Sequence, residues 1–77
     1  MITKEYNFAS HDHMMYFINE VLRQSDRINH HPKLVIDHNK VSVDLYTKDI
    51  NDITEADTEL SRSIDEIFED ISYIDTL

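Results

Sequence analysis

Between Met14 and Leu45 the apolar residues keep one spacing up to Ile28 and another after Pro32, and that change of period leaves few folds open. Met14, Phe17, Ile18, Val21, Leu22 and Ile28 recur at helical intervals, forming one apolar stripe. The stripe predicts a helix over residues 11–28 with Ser10 as its N-cap. Asn29 tolerates the left-handed exit that ends a helix, and Pro32 prevents continuation. Beyond the proline, "KLVID" and "KVSVDLYT" alternate with period two around "HN", the pattern of a hairpin. A turn at Asn39-Lys40 pairs 38 with 41, 36 with 43 and 34 with 45. That register puts Leu34, Ile36, Val41, Val43 and Leu45 on a core face, with His38 on the same side. Ser42, Asp44, Tyr46 and Lys48 share the open face.

Two elements flank this centre. "ITKEYNF", residues 2–8, alternates loosely and reads as a strand. Thr54 with Asp57 three residues on fits a capping box, and Leu60, Ile64, Ile67, Phe68 and Ile71 then recur at helical spacing. The tail "SYIDTL" is expected to fray. The element order is β-α-β-β-α: an α+β domain, an antiparallel sheet with helices on one face. The chain has no glycine, so positive φ angles must fall to other tolerant residues, with Asn29, Asn39 and Asn51 at the expected turns.

The 77 residues 1–77 make one small domain, and such a domain buries only about 60% of its unfolded surface. Self-association is the expected extra support, because there is no cysteine for a disulfide or thiolate metal site. Sixteen acidic residues against seven basic give a net charge of −9, which argues against direct nucleic-acid binding. No apolar run reaches membrane-spanning length and no signal-peptide pattern opens the chain, so a soluble, cytoplasmic protein is expected. The histidines of "HDH" at 11–13 and those at 30, 31 and 38 sit at opposite ends of the first helix, roughly 27 Å apart. A shared metal site within one subunit is therefore not expected.

The run "NHHP", followed by "NKV", "TKD" and "TEAD", resembles the pterin-4a-carbinolamine dehydratase family, also called dimerization cofactor of a homeodomain transcription factor. Asp26, His30, His31, Pro32 and Asp57 fill the places of that family's motif at its spacing, and "FASHDHMMYFINEVLRQSDRI" is similar to its first-helix region. The resemblance spans nearly the whole chain without gaps. It implies a single dehydratase-like domain, a pterin substrate, and elimination of water from a 4a-hydroxytetrahydropterin with no metal or redox cofactor. It implies His30 and His31 as the catalytic groups, with Pro32, Lys48 and Asp57 on the substrate side. It also implies a homodimer or homotetramer, and a possible protein partner.

The chain departs from the family pattern in three ways. Lys48 stands where the family keeps a third histidine or a tryptophan, His38 takes an aromatic place, and the match begins at the family's second strand. An N-terminal helix and strand are thus expected to be missing, leaving a sheet edge bare. Histidine, with an ordinary pKa of about 6.5, suits the proton transfers that let hydroxide leave as water. A lysine, with an ordinary pKa of about 10.4, donates a hydrogen bond but gives up its proton slowly unless burial intervenes. Lys48 therefore sets up a second reading, a catalytically weak or inactive dehydratase-like oligomerisation or interaction module.

Overall fold

A computed structural model of the chain describes residues 1–47 and 52–75, so Lys48 and Asn51 lie outside the described residues. Its elements are β1 (Ile2–Asn7), α1 (His11–Ile28), β2 (Lys33–Asp37), β3 (Lys40–Leu45) and α2 (Glu55–Asp75). The order is the expected one. The strands form an antiparallel sheet in the order β1-β3-β2, with β3 in the middle and both helices on one face.

Period two explains which sheet face the helices cover. Val41, Val43 and Leu45 on β3 are fully buried, and β1 lays Tyr6, Lys4 and Ile2 opposite them in turn. Lys4 is the odd member of this apolar face. Its ammonium reaches across to Asp65 on α2 at 2.5 Å, and the Tyr6 hydroxyl donates to the same carboxylate at 2.7 Å. Burial alone pushes the Asp65 carboxyl up, but the Lys4 and Tyr6 bonds outweigh it and hold that group below the usual range. Burial also pushes the Tyr6 phenol well up, helped by the neighbouring carboxylate.

The rest of the core is aromatic and aliphatic. The rings of Tyr6 and Phe8 each sit about 5 Å from both Phe17 on α1 and Phe68 on α2. Tilted and edge-on pairs of this kind add about 0.5–1.5 kcal/mol each beyond their buried area. On α1 the buried stripe is Met14, Phe17, Ile18, Val21 and Ser25. Leu22 and Ile28, expected on that stripe, are partly exposed, and Ser25 occupies the buried place one turn below Val21. Its hydroxyl satisfies itself on the Val21 carbonyl at 2.7 Å, so the polar group costs little there.

Several boundaries moved. The hairpin turns at His38-Asn39, not Asn39-Lys40, and pairs Asp37 with Lys40, Ile36 with Val41 and Leu34 with Val43. Moving the turn by one residue changes the pairing by two, so every side chain keeps its face and the apolar pattern fits both registers equally. His38 takes the positive φ, 55°, that was expected at Asn39. Histidine enters the left-handed region more readily than most residues, and the earlier turn sets the charges of Asp37 and Lys40 opposite each other. The His38 side chain is consequently exposed at the turn, not core-facing. Ser10 occupies the N-cap with extended backbone but makes no side-chain capping bond. β1 ends at Asn7, one residue early, and α2 runs to Asp75 through most of the tail expected to fray.

Candidate active site

The end of α1 is a Schellman motif, and it aims two histidines in different directions. Asn29 adopts the left-handed conformation at φ 53°, ψ 43°, and its amide bonds the Asp26 carbonyl. The next amide, that of His30, closes the motif on the Ser25 carbonyl at 3.0 Å. Pro32 then biases His31 towards extended backbone. Adjacent residues on extended backbone face opposite ways, and these two rings find different partners.

His30 turns to the N-terminus of α2. Its Nε2 lies 2.5 Å from Asp57 Oδ1, with the histidine side chain 18% exposed and the aspartate side chain wholly buried. Asp57 Oδ2 accepts the Thr54 amide at 2.9 Å and the Thr47 hydroxyl at 2.8 Å. The first of these is one half of the expected capping box, and the Thr54 hydroxyl lies 2.8 Å from that of Thr47. Thr54 thus donates to Thr47 and Thr47 to Asp57, a hydroxyl chain ending on a carboxylate. Burial pushes the Asp57 carboxyl up, yet the bonds from His30, the Thr54 amide and Thr47 prevail and hold it below the usual range. The first turn of a helix also favours a negative charge.

An ionised Asp57 only accepts hydrogen bonds, so His30 Nε2 is the donor. That leaves Nδ1 as the nitrogen free of any hydrogen bond among the described residues. Thr47 owes its place to a short backbone bridge with Asp52, in which its amide donates to the Asp52 carbonyl at 2.7 Å. Lys48 follows Thr47 directly in the chain. Sequence reasoning passed over Thr47, because a threonine after a strand has no distinguishing pattern.

His31 faces the other way. Its Nε2 lies 2.7 Å from Asp26 Oδ1, and its side chain is half exposed. The two residues stand five apart across the Schellman turn. His31 and Pro32 line an open cleft of about 290 Å³ together with Lys33, Asp44 and Tyr46. The cleft therefore lies on the sheet face away from the helices. Of the expected site residues, His30 and Asp57 are joined directly, while His31 and Pro32 border the cleft. Asp57 spends its oxygens on protein donors and reaches a ligand only through His30.

The chemistry available is a pair of imidazoles, each fixed at Nε2 by a carboxylate, with Nδ1 left to exchange a proton. Among the described residues, no group of three or more His, Asp or Glu is placed to hold a metal ion.

The model of the family described as "Pterin 4 alpha carbinolamine dehydratase" matches residues 1–67. A candidate pterin-4-alpha-carbinolamine dehydratase of Sulfurisphaera tokodaii is 40% identical over 67 residues, covering 87% of this chain and 72% of its own length. A protein of the same description from Metallosphaera sedula is 36% identical over 66 residues, covering 86% of this chain and 69% of its own. Among solved structures, the crystal structure of a transcriptional coactivator/pterin dehydratase from Brucella melitensis superposes with a TM-score of 0.83 at 26% identity. That match covers 86% of this chain and 70% of the Brucella chain.

Proposed function

The chain belongs to the pterin 4 alpha carbinolamine dehydratase family, and we propose that it removes water from a 4a-hydroxytetrahydropterin by histidine acid–base catalysis. The observation that carries this reading is His31 on the wall of an open cleft with its Nε2 held by Asp26, at the same helix exit that seats His30 on Asp57. His31, at the cleft, protonates the 4a-hydroxyl as the C4a–O bond breaks and the oxygen leaves as water. The N5 proton is lost as the C4a=N5 double bond forms, giving the quinonoid dihydropterin. His30 is not part of the cleft wall, and its role as the second proton-handling group rests on the family motif, with Asp57, which holds its Nε2, as its positioning residue. Pro32 shapes the cleft wall beside His31.

Formation of quinonoid dihydropterin from the 4a-carbinolamine, followed by absorbance, tests the reading. The expected result is a rate well above spontaneous dehydration. A rate at background, restored by Lys48→His, would instead establish the second reading, an interaction module that keeps the fold and not the turnover. The name of the Brucella relative, a transcriptional coactivator as well as a pterin dehydratase, is consistent with a protein partner under either reading.

Self-association belongs to the same proposal. β2 is an edge strand, and its Val35 and Ile36 are 47% and 54% exposed, an apolar edge of the kind that pairs with another copy. Sedimentation equilibrium is expected to give a homodimer or homotetramer mass, and a monomer mass at all concentrations would refute this.

A further inference from the structure

The cleft beside His31 carries a pair of charges that the acid–base chemistry does not use. Lys33 on β2 and Asp44 on β3 are direct cross-strand partners, which puts their Cβ atoms about 4.5–5.5 Å apart. Both line the cleft. Among the described residues, neither side chain makes a hydrogen bond or ion pair, with the other or with any third group. Opposite charges placed side by side in a cleft and left unpaired are ready to meet a ligand edge of matching polarity. Tyr46, two residues after Asp44, adds an aromatic wall, and Pro32 an apolar one.

We infer that Lys33 and Asp44 read the aminopyrimidinone edge of the substrate, so that this cleft selects 2-amino-4-oxopteridines over their 2,4-dioxo counterparts. This rests on the pterin reading above and extends it to specificity. The edge presents, in order, the O4 acceptor, the N3–H donor and the 2-amino donor. A carboxylate takes the two adjacent N–H groups as a fork, the geometry in which charge-assisted hydrogen bonds are strongest. An ammonium beside it supplies the donor that O4 requires. C4, which bears O4, is bonded to C4a. Anchoring O4 on Lys33 therefore brings the 4a-hydroxyl towards His31, two residues back along the chain and roughly 6–7 Å away in extended backbone. One pair of residues thus sets both the identity of the ligand and its orientation to the acid.

Binding measured by quenching of ligand fluorescence, with pterin and lumazine as probes, tests the inference on the intact chain. Lumazine carries a 2-oxo group in place of the 2-amino group and sets an acceptor against the carboxylate. The wild type is expected to bind pterin about 10- to 100-fold more tightly than lumazine. Asp44→Asn, which offers one donor and one acceptor, is expected to bring that ratio to about one. Lys33→Met is expected to weaken both ligands alike, because both carry O4. A wild type without preference, or an Asp44→Asn ratio equal to that of the wild type, overturns the inference, and turnover in the same preparation shows whether the dehydratase reading survives it. A pterin preference that depends on Asp44, in a protein without turnover, upholds the inference and counts against dehydration.

Discussion

Replacing Asp57 with alanine is expected to remove about 3–5 kcal/mol of stability, the usual cost of breaking a buried charged pair. The carboxylate is wholly buried and gathers three elements: His30 beyond α1, Thr47 after β3, and the first turn of α2. Its loss strands the Thr54 amide and the Thr47 hydroxyl in a buried place and unties the His30 ring. A domain of this size rarely holds more than about 3–5 kcal/mol in its core, so the variant should be largely unfolded or close to it. Urea unfolding measures the loss. A midpoint within a few tenths molar of the wild type would mean that the site tolerates an empty carboxylate position. Thr47→Val is the milder companion: it keeps the branched shape at the backbone bridge and deletes one donor, at a cost of about 1–3 kcal/mol.

The same group sets an acid limit. Asp57 and Asp65 are both held below the ordinary carboxylate range in the folded chain. At acid pH the unfolded chain therefore binds more protons, and stability falls as pH falls. Their contribution is complete above the ordinary carboxylate pKa of about 4, and is lost as pH drops through their lowered values. The stability gap between wild type and Asp57→Asn is accordingly widest above about pH 4 and narrows below it, with the Asp65 share left in both proteins.

What could be read from the sequence follows from which features are local. The exit of α1 was legible to the residue, because Asn29 and Pro32 each carry a conformational restriction of their own. The parity of the hairpin was legible and its turn was not, since an alternating pattern leaves the register free by two. Ile36, expected on the core face, is 54% exposed on the edge strand. Asp57 was visible twice, as a capping residue and as a motif position, and one buried carboxylate makes both the bond to the Thr54 amide and the bond to His30. The bond of Thr47 to Asp57 is a contact ten residues along the chain, and the role inferred for Lys33 depends on its strand partner Asp44. Neither has a spacing that a linear reading detects. Leu22 and Ile28 misled for the opposite reason: helical spacing gives a stripe wider than the face that two helices and a short sheet cover.

His31→Ala is expected to lower kcat by about 10²- to 10⁴-fold while leaving the fold intact. The separation of effects follows from where the ring sits. His31 is half exposed and its only hydrogen-bonding partner among the described residues is the surface carboxylate of Asp26, a pair worth about 0–1 kcal/mol to stability. Its imidazole nevertheless borders the cleft, with Nε2 held by Asp26 and Nδ1 left to exchange a proton. In the proposed reading the other cleft residues hold the pterin ring, so KM should change far less than kcat. His30→Ala gives the contrasting pattern, because its partner is buried: turnover and stability fall together, the latter through an Asp57 left with one donor fewer. Steady-state dehydration kinetics beside urea unfolding of both variants distinguish these outcomes. If His31→Ala keeps the wild-type kcat, the proton for the departing hydroxyl comes from elsewhere. Lys48, next after Thr47 and at the family's third histidine position, is then the residue to replace.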